Sequence, residues 1–132
     1  MKTYKECDIS VSILGTEYMV RIREDANEKR FAQLNCSGFC DPSTKELFVT
    51  NYIGFKGQIS VKDIRNTIRH AIKHEIIHAF LYESGLGDDW EHKELGHDET
   101  TVDWIARQLE KINDTVQTVF EKILPYLTEI DG

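Results

Sequence analysis

The feature that most constrains the fold is a series of apolar residues at helical spacing in the middle of the chain. These residues recur every three or four positions: Ile64, Ile68, Ile72, Ile76 and Ala79. The period predicts a helix of about 20 residues, with Ser60 as its N-cap and Asp63 in its first turn. Gly85, and then Gly87, are expected to end it. Because charged residues mark only one narrow side, most of this helix is expected to be buried.

The residues before this helix alternate between apolar and polar, which is typical of strands. Residues 9–13 and 18–22 alternate in this way on either side of Gly15 and predict a hairpin. Residues 46–50 are rich in strand-forming residues and follow a turn signal at residues 41–44. The first half of the chain therefore predicts a small antiparallel sheet.

Two further apolar stripes follow the long helix, after a polar loop. One predicts a second helix from about Glu99 to Lys111, and the other predicts a third helix that begins at Asn113 or Asp114. The predicted fold class is α+β: a small antiparallel N-terminal sheet followed by about three helices.

Length and charge limit the functions that this chain can have. Its 132 residues provide material for a single domain, residues 1–132. The net charge of −7 disfavours nucleic acid as a partner, because phosphate binding needs clustered Lys and Arg. We find neither an apolar run of about 20 residues for a membrane span nor the apolar segment of a secretory signal. We therefore expect no membrane partner and a cytoplasmic location, and the odd count of cysteines, Cys7, Cys36 and Cys40, predicts free thiols.

The long helix contains the sequence His-Glu-Ile-Ile-His at residues 74–78, an H-E-x-x-H motif. Residues four apart on a helix lie on one face, about 6 Å apart. His74 and His78 can therefore bind one Zn²⁺ ion at about 2.0–2.1 Å. Glu75 lies about 100° further round the helix, where its carboxylate can reach a water molecule without binding the metal.

Helical projection places both histidines away from the charged side of the helix, next to Ile77 and Leu81. We therefore expect His74 and His78 to point inward, where polar side chains need a partner that a divalent cation would supply. The alternative is that these are ordinary histidines beside a helical glutamate, without a metal.

A second acidic pair, Glu99 and Asp103, is also four residues apart, on the predicted second helix. A catalytic zinc site with two histidines needs a third protein ligand and an open position for water. Glu99 is the predicted third ligand, and Asp103 could accept the second ring N–H of His74 or His78. Alternatively, these acids only complement the dipole at a helix N-terminus.

Together these residues resemble the gluzincin pattern of thermolysin-like zinc peptidases. The resemblance implies that His74, His78 and Glu99 bind zinc, that Glu75 is the general base and that Asp103 supports a ligand. The small size, the hairpin before the helix and the sequence of residues 73–79 are more similar to the small ImmA/IrrE-type metallopeptidase-like domains of phages and bacteria.

Two further family patterns bear on the third ligand. SprT-like metalloproteases are similar in using a third histidine after H-E-x-x-H, so His92 or His97 could take the place of Glu99. The metzincin extension is absent, because Leu81 and Ser84 stand where its glycine and third histidine would fall.

The predicted function is zinc-dependent hydrolysis of a peptide or protein substrate, through a zinc-activated water with Glu75 as general base. Tyr82, His92 and His97 are candidate donors to the oxyanion, and residues 49–52 could form an edge strand on which an extended peptide pairs. One alternative is a zinc-binding regulatory or structural module of phage or bacterial origin without turnover. Another is a structural α+β protein without a metal.

Overall fold

A computed structural model describes residues 2–55, 63–85 and 99–130, without the side chains of residues 99, 100, 102, 103 and 106. The described elements, in chain order, are β1 (Lys2–Tyr4), β2 (Cys7–Ile13), β3 (Thr16–Arg23), α1 (Lys29–Leu34), β4 (Gly38–Asp41), β5 (Glu46–Thr50), α2 (Ile64–Glu83), α3 (Glu99–Ile123) and β6 (Leu127–Glu129). Short 3-10 turns occupy Asp25–Asn27 and Leu124–Tyr126. The predicted α+β class is confirmed.

The predicted hairpin is formed by β2 and β3. The two strands pair antiparallel from Cys7 opposite Ile22 to Ile13 opposite Thr16. Leu14 and Gly15 between them both have positive φ, at 50° and 87°, which is the backbone that a tight hairpin turn requires. The alternation of the sequence therefore determines both strands, since every second residue of β2 is buried.

The larger sheet has four described strands in the order β2-β3-β5-β4. β5 pairs parallel with β3 and antiparallel with β4, so the sheet is mixed. The expectation that residues 49–52 form an edge strand is wrong, because β5 lies inside the sheet and β4 lies at its edge. A separate two-stranded antiparallel sheet joins β1 to β6.

β4 is held against β5 on the face of the sheet that α1 covers. Phe39 stacks on Phe48 with ring centroids 4.8 Å apart, and the Arg30 guanidinium lies over both rings. Phe31 of α1 meets Phe39 edge to face. This aromatic contact anchors a strand of only four residues, whose opposite face is directed towards α2.

The long helix α2 begins at Ile64, after Asp63, whose carboxylate accepts from the Asn66 N–H at 3.1 Å. Asp63 is therefore the N-cap, which corrects the assignment of that role to Ser60; Ser60 lies outside the described residues. The predicted end is confirmed at Gly85, which has φ of 85°, whereas Gly87 lies outside the described residues.

The helix α3 runs without a break for 25 residues, so the predicted boundary at Asn113 or Asp114 is wrong. Both residues are exposed in mid-helix, while the apolar stripe continues through the helix and packs on the core: Ile112, Val116, Val119 and Ile123. Burial of that stripe outweighs the local preference of Asn and Asp for helix caps.

The core lies between the sheet and the two long helices. The apolar residues that predicted α2 are all buried: Ile64, Ile68, Ile72, Ile76 and Ala79. They meet the inward-facing residues of β3 and β5, among them Tyr18, Val20, Leu47 and Val49, none of which has any exposed surface. Among the described helices, none is long and apolar enough to cross a membrane.

The N-cap gives a direct test of how α2 begins. Replacing Asp63 with Ala should lower the free energy of unfolding by about 1 kcal/mol, because the Asn66 N–H loses its acceptor. Asp63→Asn keeps a side-chain oxygen in the same place and should be close to neutral. Urea denaturation of the three proteins measures the difference. If Asp63→Ala and Asp63→Asn lower the free energy of unfolding equally, the N-cap hydrogen bond is not the cause of the loss.

Candidate metal centre

Two histidine side chains on α2 are placed as a tetrahedral zinc ion requires. His74 Nε2 and His78 Nε2 lie 3.2 Å apart. Two nitrogen ligands at about 2.0–2.1 Å from tetrahedral zinc lie about 3.3–3.4 Å from each other, so this pair needs almost no rearrangement to bind one ion. Within the described part of the chain, His74, Glu75 and His78 form a group whose possible ligand atoms all lie within 4.8 Å.

The histidines do not point inward as predicted. His74 is exposed, and Ile77, which was expected beside it on the buried side, is 42% exposed. Glu75 is the buried member of the motif, at 6% exposure. The correction has a simple cause: α2 lies on the sheet through the face that carries its isoleucines, so the histidine face borders solvent. Within the described residues, the ligand nitrogens of the motif are therefore accessible from solvent.

The Glu75 carboxylate is buried between α2 and β4. Burial raises its pKa from 4.5 to about 7, because desolvation disfavours the charged form. In the described part of the chain no hydrogen-bond donor or cation offsets this cost. A carboxyl group with a pKa near neutral can both accept and donate a proton at physiological pH, which suits a general acid and base.

Gly38 permits this close approach of the strand to the helix. A Cβ atom at Gly38 would lie 3.2 Å from Glu75 Oε2 and 3.1 Å from the Phe48 carbonyl oxygen, closer than real side chains tolerate without movement. Gly38 therefore lets β4 lie directly on the carboxylate. The sequence contained a signal for this position, since a glycine inside a strand often marks a close approach.

The pKa of the His78 ring favours metal binding. Burial, and the neighbouring His74 ring, lower the pKa of His78 below its ordinary value. Metal ions bind the unprotonated imidazole, so a lowered pKa favours binding at neutral pH. Without a metal, the 3.2 Å separation also suits a hydrogen bond from one ring to the other.

The H-E-x-x-H motif on α2 and the strand β4 form the two walls of a cleft of about 270 Å³. Its lining comes from both walls: Gly38, Phe39, Cys40, His74, Glu75, His78 and Tyr82. The predicted oxyanion donor Tyr82 therefore lies in the same cleft as the motif. Sequence reasoning missed the β4 wall, because it did not predict β4 as a strand and gave residues 38–40 no role.

Some backbone groups of β4 along this cleft do not pair with β5. The Thr50 N–H donates to the Ser37 carbonyl oxygen at 3.0 Å, which fixes the alternation of the antiparallel ladder. With the pairing of Gly38 opposite Val49, the main-chain groups of Gly38 and Cys40 point away from β5. The Gly38 N–H donates a hydrogen bond to the Cys36 side chain, and among the described strands none pairs with this edge. An extended peptide could pair there.

The three cysteines are free, as predicted. Burial, with a further contribution from Glu75, raises the pKa of Cys40 to about 12, and burial raises that of Cys7 to about 11. These thiols are protonated at neutral pH, whereas zinc binds the thiolate.

The side chains of four predicted site residues lie outside the described structure. Glu99 and Asp103 both belong to α3, one turn apart, but their side chains lie outside the described structure. His92 and His97 lie outside the described residues altogether. Their roles as third ligand or supporting group stay predictions.

The fold and the site define an α+β protein with a helical His-Glu-His candidate metal site beside β4, the edge strand of the described sheet. Comparisons with known protein families, curated proteins and solved structures found no match. The resemblance to small gluzincin-like peptidases thus depends on the motif residues and their spacing.

The buried carboxyl group predicts how stability depends on pH in metal-free protein. The Glu75 side chain titrates near 4.5 when unfolded and near 7 when folded, so between these values the folded state keeps a proton that the unfolded chain has lost. Stability should therefore fall as pH rises through this window, by up to about 3 kcal/mol, and then level off. Glu75→Gln cannot titrate and should lack this loss.

The measurement is urea unfolding of wild type and Glu75→Gln at several pH values between 4.5 and 7.5, with a chelator present. The difference between the two proteins isolates Glu75 from other titrating groups. Parallel curves would contradict the raised pKa.

Proposed function

We propose that this protein is a zinc metallopeptidase, a hydrolase in which His74 and His78 bind Zn²⁺ and Glu75 is the general base. One observation carries the proposal: two imidazole nitrogens 3.2 Å apart adjoin a buried carboxylate, in a cleft whose other wall is β4, the edge strand of the described sheet. Each part is what peptide hydrolysis needs, and all three meet within one small cleft.

Glu75 is the proposed acceptor of the proton of the attacking water. A bound Zn²⁺ would lower the pKa of a water molecule and polarise the scissile carbonyl. The Glu75 carboxylate lies beside the two histidines but one position round the helix, so it can accept the proton and then donate it to the leaving amine. Its pKa near 7 in the metal-free protein is compatible with both transfers.

The strand edge supports a peptide as the substrate. The main-chain groups of Cys40 and the Gly38 carbonyl point away from β5, and they could pair with an extended segment as an added strand. Such a segment would run along the cleft past His74 and His78, within reach of Tyr82, the proposed donor to the oxyanion. The substrate would therefore be an unfolded or extended stretch of a peptide or protein.

The third ligand is proposed to be Glu99, with Asp103 supporting a histidine. Both come from the start of α3, and the resemblance to the gluzincin pattern implies these roles for them. His92 and His97 are the alternative ligands. A regulatory or structural module that binds zinc without turnover would use the same histidines but would not need Glu75.

Zinc content tests the ligand assignment. Protein purified without chelator should carry about one Zn²⁺ per chain, and replacing both His74 and His78 with Ala should abolish binding. Glu99→Ala should weaken binding strongly and Asp103→Ala by about 10–100-fold. Elemental analysis gives the stoichiometry, and competition with a chromogenic chelator gives the affinity.

His70→Ala is the matched control, because His70 is an exposed histidine one turn earlier on α2. It should keep full zinc. Retention of zinc by the double histidine variant would overturn the site. If His92→Ala or His97→Ala loses zinc while Glu99→Ala keeps it, the third ligand is a histidine and not Glu99.

Hydrolysis itself is tested by Glu75→Gln. The amide has a similar size but cannot accept the water's proton, so this variant should fold and keep zinc while peptidase activity falls by about 10²–10⁴-fold. The assay is digestion of a peptide library, read by mass spectrometry, with wild type, Glu75→Gln and chelator-treated samples in parallel. Undiminished cleavage by Glu75→Gln would refute the mechanism. No cleavage by zinc-loaded wild type would favour the zinc-binding module.

A further inference from the structure

Three side chains from the sheet and its turns converge on one carboxylate at the end of α2. The Tyr18 hydroxyl donates to Glu83 Oε1 at 2.6 Å. The Lys45 ammonium group pairs with the same oxygen at 2.5 Å, and the Thr16 side chain adds a further hydrogen bond. We call Tyr18, Lys45 and Glu83 the end clamp.

The end clamp is not explained by the helix alone. Glu83 is the last residue of α2, where a negative charge opposes the helix dipole. Its hydrogen bonds with Lys45 and Tyr18 hold its pKa below the ordinary value, so the sheet stabilises this charge. Tyr18 has no exposed surface, and loss of its acceptor would leave a buried hydroxyl without a partner.

The end clamp joins the two walls of the cleft. Lys45 lies in the turn between β4 and β5, with φ of 60°, and its carbonyl oxygen accepts from the Met19 N–H at 3.0 Å. The turn is thus fixed to β3, and through Glu83 to α2. Glu83 lies about 12 Å along the helix from Glu75, so the clamp holds one end of the cleft that β4 and α2 enclose.

We propose that the end clamp sets the separation between β4 and α2, and thereby positions Glu75 and the two histidines against the strand edge. Tyr18, Lys45 and Glu83 are positioning residues, because none of them lines the cleft. The effect on turnover rests on the proposed peptidase function. The separation between β4 and α2 does not depend on that function. It can be measured without turnover, because Cys40 lines the cleft and its reaction with a thiol reagent depends on how open the cleft is.

Thiol alkylation, mapped by mass spectrometry, measures the opening of the cleft. Tyr18→Phe removes only the hydroxyl, and Glu83→Ala removes the shared acceptor. Each should speed alkylation of Cys40 by N-ethylmaleimide by about tenfold or more, the ratio that corresponds to loss of one hydrogen bond to a charged group. Because the Glu83 charge itself raises the pKa of Cys40, Tyr18→Phe, which changes no charge, is the deciding variant. Cys7, which is buried on β2 away from the cleft, should be unchanged.

Glu17→Ala is the matched control. Glu17 precedes Tyr18 on β3, is exposed, and accepts from the Ser10 hydroxyl at 2.8 Å without reaching α2. It should leave the Cys40 rate as in wild type, and Lys45→Arg should keep the charge pair and the wild-type rate. An unchanged Cys40 rate in Tyr18→Phe would overturn the proposal, whatever the rate in Glu83→Ala. A parallel rise for Cys7 and Cys40 would also overturn it, since it would indicate global destabilisation.

Zinc affinity and turnover separate the clamp from the proposed function. Both histidines lie on α2, so clamp variants should keep the wild-type zinc affinity, whereas kcat/KM for a cleaved peptide should fall by at least about tenfold. If wild type cleaves no peptide but Cys40 responds as expected, the clamp stands and the peptidase proposal fails. If wild type cleaves and clamp variants match it, the positioning role fails.

Discussion

Burial of the Glu75 carboxyl group between α2 and β4 is the constraint on which the rest of the site depends. A carboxylate without a donor or cation is costly to bury, and the raised pKa of Glu75 expresses that cost. The position persists because the isoleucines on the same helix face are locked into the core. Rotating α2 to expose Glu75 would also expose Ile72 and Ile76, which have no exposed surface.

The orientation of α2 on the sheet also fixes the positions of the two histidines. Once the isoleucine face is on the sheet, His74 and His78 must lie on the neighbouring side, one turn apart and next to the strand edge. Gly38 and the aromatic anchor of Phe39 bring that edge to the helix. The core thus supplies the geometry of the site, and the site adds a buried carboxyl group that the core must tolerate.

Much of this arrangement could be predicted from the sequence, because it depends on local periodicity. The isoleucine spacing gave α2 and its buried face, alternation gave the β2–β3 hairpin, and residues 74–78 gave the candidate ligands. Helical projection failed at His74 and Ile77 because the apolar residues of α2 surround most of the helix. Periodicity alone could not show which side meets the sheet.

What the sequence could not give depends on contacts between distant segments. The place of β5 inside the sheet follows from its parallel pairing with β3, which no local pattern encodes. The continuity of α3 through Asn113 and Asp114 is a result of burial, which overrides their capping preference. The wall formed by Gly38 and Cys40 depends on a four-residue strand, too short to show a period.

The central claim is that His74 and His78 bind one zinc ion while Glu75 does not. A crystal structure of zinc-loaded protein, with anomalous data collected on both sides of the zinc absorption edge, tests it most directly. The account predicts one zinc peak about 2.0–2.1 Å from both Nε2 atoms, with the Glu75 carboxylate outside the coordination sphere and facing the open position. Zinc bound elsewhere, or two histidine rings hydrogen-bonded to each other in zinc-loaded crystals, would contradict it.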